Sequence, residues 1–423
     1  MSKPAALLFC CLLVLAAGSL AAPALAPSGP GADAAEAAYQ TGIGRLAKGD
    51  LPGAEQAFRE SLKSQPNMAQ ALLGLAEVAS RKKQSDEAAR LIRQAAQAEP
   101  RSAHAQASLG RLLAVQKQYA EAEAALKKAL ELDPKLVRPR MDLADLYATA
   151  LRKPGEALAL YQSVLELDPK HAGAHYAFGM TQLRMGELAK ARTALETANR
   201  LEPGNPLPWV ALGRVSIEQK DLAAAMTSLD GALKIHPKLA EALELRGDVH
   251  QLRKNPDKAL ADYAAAVQSQ PNRISALMKQ GSLLQQLGRN DEATKAYLAA
   301  VAIDARLAPA YNNLAWMAAE SGKNLEQAEL WGRKAVELAP NVAEFDDTLG
   351  WVYRAQGKLA DAERTLKRAT GLKGAPASAF YHLGVVQQQL GKKSEATAAL
   401  KKALELDKNH EAAAQALRKL GAS

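Results

Sequence analysis

The chain has 423 residues, with 54 Lys and Arg against 45 Asp and Glu, a formal charge of +9 and only 4% aromatic residues. The excess charge is dispersed and lacks the concentrated Lys/Arg and aromatic platforms of a nucleic-acid surface, so no nucleic-acid partner is expected. Both cysteines, Cys10 and Cys11, sit in the first segment, which leaves the rest of the chain without disulfides or thiol chemistry.

Residues 1–21 read as a signal peptide. Lys3 opens it, Ala5–Ala17 supplies an apolar core, and Ser19-Leu20-Ala21 forms a small-residue cleavage site. Cleavage near Ala21 is expected, with retention as a membrane anchor the alternative, because the apolar run approaches spanning length. No lipobox precedes either cysteine, so no lipid anchor is expected. Residues 22–34 are rich in Pro, Gly and Ala and read as a flexible lead-in.

From residue 35 to residue 410 the chain repeats itself. Prolines close the units at Pro66, Pro100, Pro134, Pro169, Pro203, Pro237, Pro271 and Pro340, and Ala305, Gly374 and Lys408 fill the slots without one. The step is 34 residues, and one longer from Pro134 to Pro169 and from Ala305 to Pro340. The units are 35–68, 69–102, 103–136, 137–171, 172–205, 206–239, 240–273, 274–307, 308–342, 343–376 and 377–410. The extra residues are expected in turns, near 150–155 and 321–324. Residues 411–423 read as a capping helix. A period of this length signals a helix–turn–helix solenoid, in which stacked neighbours bury what one unit cannot. The expectation is therefore an all-α, repeat-built domain.

Three columns carry the packing. The twentieth position is alanine in every unit, from Ala54 to Ala396, and the eighth is always Gly or Ala. Small residues there let paired helices approach closely, and a larger side chain would cost roughly 1–3 kcal/mol. Four residues after each alanine comes a bulky side chain such as Phe58, Leu126 or Tyr263. Gly332 is the exception, with Trp331 beside it to fill the space. Each proline ends a second helix, because it lacks the N–H and biases its predecessor away from helix.

This pattern resembles the tetratricopeptide repeat (TPR) over about nine-tenths of the chain. The resemblance implies a right-handed superhelix of antiparallel helix pairs, with a concave groove lined by the first helix of each pair. No Walker loop, nucleophile elbow, H-E-x-x-H or C-x-x-C appears. No enzyme, metal or cofactor is expected. His171 and His175 have metal-ligand spacing, but His171 falls in a turn, so both read as turn and surface histidines.

At 100° per residue, positions 2, 5, 9, 12 and 13 share the arc of the first helix opposite its packed face. By the resemblance that arc faces the groove. It carries Arg81, Arg111, Arg138, Arg184 and Arg214 in units two to six, and Glu241, Glu244, Asp248, Glu320, Glu344 and Asp347 in units seven to ten. A groove basic at one end and acidic at the other would orient a partner and speed its capture. Trp316 and Trp351 hold the same groove position in adjacent units, with Tyr381 one unit on and Asn312 and Asp347 between. Such aromatics are frequent binding hot spots, each able to carry ~2 kcal/mol or more, and Asn can hydrogen-bond a peptide backbone. Padding of a junction is the alternative. Trp209, at the fourth position, reads as core. The Lys/Asn/Arg set of the carboxylate-clamp TPR type and the Asn ladder of the O-GlcNAc transferase type are both missing.

Residues 311–320 (YNNLAWMAAE) and 346–353 (DDTLGWVY) are similar to exported bacterial TPR proteins of exopolysaccharide and exosortase systems. The resemblance implies a periplasmic, non-catalytic scaffold that binds a protein or peptide partner of the envelope in its groove, with polysaccharide-secretion machinery as a possible setting. A glycan- or cargo-handling export component and a periplasmic chaperone are the alternatives. Membrane attachment would come only through partners or an uncleaved signal.

Overall fold

A computed structural model describes residues 29–421; the expected signal peptide lies outside them. The described residues form 23 helices and no strand. They are eleven pairs and a final helix, Glu411–Lys419. The chain divides into two compact units, one ending at Gln219 and the other beginning at Lys220.

The repeating pair is a 13-residue first helix and a 14-residue second helix, as in Ala103–Val115 and Tyr119–Leu132. All eleven alanines of the twentieth position are 0% exposed, and the bulky side chains that follow them are equally buried. The eighth position is where the two helices meet. A Cβ on Gly42 would stand 2.5 Å from the Phe58 ring, one on Gly247 2.6 Å from the Tyr263 ring, and one on Gly350 2.5 Å from Leu366. Small-against-large complementarity thus sets the interhelix distance, and burying each such side chain contributes about 1.5–3 kcal/mol.

The turn inside each pair passes through a left-handed residue, for example Lys83 (φ 61°), Lys117 (φ 62°) and Gly186 (φ 78°). There the Gln84 amide donates to the Ala79 carbonyl at 2.8 Å and the Gln118 amide to the Leu113 carbonyl at 2.9 Å. These six-to-one bonds satisfy carbonyls that the helix end would otherwise leave open. Neighbouring repeats are clamped by a recurring pair from a second-helix Glu to a Lys one repeat on. Glu55–Lys82, Glu123–Lys153 (3.5 Å), Glu329–Lys358 (2.7 Å) and Glu363–Lys392 (2.6 Å) are the examples.

Three sequence expectations change. The first helix among the described residues, Gly29–Ala47, includes the last residues of the expected flexible lead-in. Alanine-rich sequence favours helix, and fully buried Ala35 anchors the segment. The extra residue of repeat four does widen a turn, between Thr149 and Pro154, but that of repeat nine lengthens the first helix to 14 residues, Ala308–Ser321. The space at Gly332 is filled by Leu349 of the next repeat, 3.1 Å from where a Cβ would stand, while Trp331 packs against Ala315, Ala318 and Val352.

Candidate functional site

In the second unit the first helices of repeats nine, ten and eleven, Ala308–Ser321, Ala343–Ala355 and Ala377–Gln389, pack on one another. That contact brings Trp316, Trp351 and Tyr381, all half-buried, around one imidazole, His382. The His382 ring stacks on Trp351 at 4.1 Å between centroids, and meets Trp316 at 5.6 Å and Tyr381 at 5.3 Å. His382 is 5% exposed, and its Nδ1 lies 2.7 Å from Asp347 Oδ1, so Nδ1 carries the proton donated to the carboxylate. The Ser378 hydroxyl donates to the other oxygen at 3.0 Å.

His382 is the residue that sequence reasoning missed. It occupies the sixth position of its unit, off the groove arc. The available signal was its place beside Tyr381 and nearly one period after Asp347. Its presence reassigns two expected groove residues. Asp347 is 5% exposed and is held by His382 and Ser378, so it orients the imidazole rather than facing a partner. Trp351 is also engaged, because the Arg354 guanidinium lies 4.2 Å over its ring and its Nε1 donates to Glu320 at 2.7 Å. Trp316 and Tyr381 keep partial exposure, Glu344 is exposed, and half-buried Asn312 holds its Oδ1 without a hydrogen-bond donor.

The charge gradient expected along the groove is largely neutralised locally. In the second unit Glu244, 5% exposed, accepts from Ser275 Oγ at 2.8 Å and pairs with Arg273 and, at 2.8 Å, with Lys279. Lys279 also pairs with Asp248 at 2.6 Å. Burial alone would raise the Glu244 pKa, but hydrogen bonds from Lys279, Ser275 and Arg273 outweigh it and hold the carboxyl below its usual value. Glu241 is half-buried.

In the first unit Arg81 pairs with Glu77 at 2.8 Å, Arg138 with Asp142 at 3.0 Å, and Arg184 donates to Thr181 at 3.2 Å. Arg111 is only 9% exposed and faces Asp142 at 3.6 Å, so it is no open groove cation; Arg214 is exposed. The cause is common to both ends: side chains one turn or one repeat apart reach each other before any partner does.

The two histidines with metal-ligand spacing act locally. His171 caps its helix, its Nδ1 accepting from the Ala174 amide at 3.0 Å, and His175 Nε2 lies 3.0 Å from the Pro169 carbonyl. Trp209, expected in the core, is half-buried and packs on its edge against Leu183, Leu212 and Val215 among others. Among the described residues no helix is long and apolar enough to cross a membrane, and no group of three metal-ligating side chains forms.

Family models of the tetratricopeptide repeat match residues 45–112, 148–209, 186–249, 278–343, 348–411 and 103–136. No curated protein matches the chain. Among solved structures it is similar to the Pseudomonas aeruginosa pilF protein, at 22% identity and a TM-score of 0.47, covering 52% of this chain and 100% of that one. It is similar to a tetratricopeptide repeat protein of Parabacteroides merdae, at 23% identity and a TM-score of 0.45, over 59% of this chain and 98% of that one. A third likeness is to the APC/C hetero-tetramer Cut9-Hcn1, at 14% identity and a TM-score of 0.46, over 91% and 96%.

Proposed function

The chain belongs to the tetratricopeptide repeat family, whose members bind protein or peptide partners, and we propose on that basis that it is a non-catalytic scaffold whose partner segment docks on the first helices of repeats nine to eleven. The observation that carries this reading is the convergence of Trp316, Tyr381 and Trp351 on His382, with Trp316 and Tyr381 still partly exposed. A rigid aromatic surface whose geometry is fixed by a buried His–Asp pair is preorganised, so little side-chain entropy is lost on binding. Exposed Glu320, which accepts from Trp351 Nε1, and exposed Glu344, two turns before Trp351 on the same helix, favour a partner segment with basic residues. The exported, periplasmic address belongs to the same proposal and rests on residues 1–21.

The test is a crosslinking pull-down from native envelope extract with wild type, Trp316→Ala and Glu344→Lys, each checked by circular dichroism. Loss of the same captured proteins in both variants supports the site. Capture unchanged in both places the partner elsewhere. Retention of purified exopolysaccharide with no protein captured would replace this reading with the glycan-handling one.

A further inference from the structure

The first unit holds a cavity apart from repeats nine to eleven. Between repeats three and four opens a cavity of about 380 Å³, walled by Val115, Leu126 and Leu146 and lined also by Arg111, Asp142 and Asp145. The two aspartates stand three residues apart on helix Val137–Thr149, hence on one face. The Asp142 side chain is 9% exposed. Its Oδ1 accepts from Arg138 Nε at 3.0 Å, while its Oδ2 is buried without a hydrogen-bond donor, 3.6 Å from Arg111 Nε.

Asp145 lines the same cavity and is open to solvent. Its carboxylate accepts from the Tyr161 hydroxyl at 2.6 Å, a neutral donor rather than a cation. Burial pushes both carboxyls above their usual range, in Asp142 against the pull of Arg111 and Arg138, in Asp145 against the Tyr161 hydrogen bond.

The charges decide the ligand class. Arg111 is matched by Asp142, and exposed Lys117 stands on the lining at the turn; Asp145 is the carboxylate without an ion pair, its one hydrogen-bond donor being the neutral Tyr161 hydroxyl, while Arg138 and Arg184 act on it from beyond pairing distance. A bare divalent cation would require several more oxygen ligands, which apolar walls do not offer. A cation with an aliphatic stem suits both surfaces: methylenes lie along half-buried Ala114, Val115 and Tyr119, with Leu126 and Leu146 buried beneath, while its N–H donors reach the carboxylates.

We propose that the cavity between repeats three and four binds an alkylammonium group, with its stem on the apolar wall and its ammonium on Asp145 beside Asp142. The group would belong either to a lysine of a docked partner segment or to a free diamine. The site does not depend on repeats nine to eleven.

The experiment titrates the full chain with cadaverine, acetyl-lysine methylamide and pentanol, following the methyl NMR signals of Val115, Leu126 and Leu146. Both amines should shift these signals and pentanol should not. Asp145→Asn keeps the acceptor for Tyr161 and should weaken amine binding about tenfold or more. Ala114→Phe, which fills the cavity, should abolish binding with the helical signal intact. Tighter binding of cadaverine identifies a free diamine as the source, and tighter binding of the lysine derivative a partner side chain. Pentanol binding as well as cadaverine, equal amine affinity in Asp145→Asn, or no shift of the three methyl signals would overturn the proposal.

Discussion

Replacing Lys279 by Met probes how repeats seven and eight are joined. Lys279 bridges Glu244 at 2.8 Å and Asp248 at 2.6 Å, both on the preceding first helix, Ala240–Leu252. At an effective dielectric of about 20, a charge pair at that separation gains about 6 kcal/mol before desolvation is counted. Removing one partner of a buried pair commonly costs about 3–5 kcal/mol. Here Arg273 and Ser275 remain on Glu244, and the Lys279 side chain is 36% exposed, so screening lowers the expectation to about 2 kcal/mol. In a unit of this size that is about 4–8 °C in the melting temperature, read by calorimetry or circular dichroism.

The pH dependence supplies the second check. Glu244 titrates below its ordinary 4.5 in the folded state, so its contribution is present above that value and fades as pH falls through the folded one. For Lys279 burial acts to lower the pKa, but hydrogen bonds to Asp248 and Glu244 raise it above 10.5, so its contribution fades as pH rises beyond that. The gap between wild type and Lys279→Met should therefore be widest between these limits and close on both sides. Glu244→Gln combined with Lys279→Met should recover part of the loss, because a neutral amide is less costly to leave there. A single variant melting with wild type at neutral pH, or a gap unchanged in acid, would refute the reasoning.

Gly247→Ala should destabilise by about 1 kcal/mol: overpacking against the Tyr263 ring, pinned through its hydroxyl by Asp248 and Gln251, outweighs the helix-propensity gain. Gly155→Ala, with nothing within 4 Å of the new Cβ, should be neutral or stabilising in the same melting assay, and equal effects at the two sites would contradict the close-approach argument. Lys83→Gly and Lys117→Gly, at left-handed turn positions, should each stabilise by about 1 kcal/mol, and a lowered melting temperature in both would show that those lysines make contacts outweighing their backbone strain.

Much of the site was legible in part. Trp316, Trp351 and Tyr381 could be aligned because they recur at related positions, and the structure does bring them together. What they converge on could not be read. His382 matters because its ring turns toward Trp351 and its Nδ1 finds Asp347, 35 residues away, and both depend on side-chain rotation rather than on position in a repeat. The same limit applies to charge. Glu244 and Asp248 sit on the expected arc, yet the long side chains of Arg273 and Lys279 reach across from 29 and 31 residues away and close them off.

The sequence by itself determined the repeat, its eleven units, the paired helices, the buried alanine column and the close approach at the eighth position. Each of these is decided within one period or between adjacent ones, and a solenoid contains few contacts of longer range. Only the tertiary structure decided that residues 29–34 are helical, that repeat nine absorbs its extra residue as helix, and that Leu349 fills the space at Gly332. It also decided which charges remain free to meet a partner. Periodicity fixes where a Cα stands along the stack, whereas rotamers and competition among neighbouring polar groups fix where a charge ends up, and that competition is settled only when the repeats are packed.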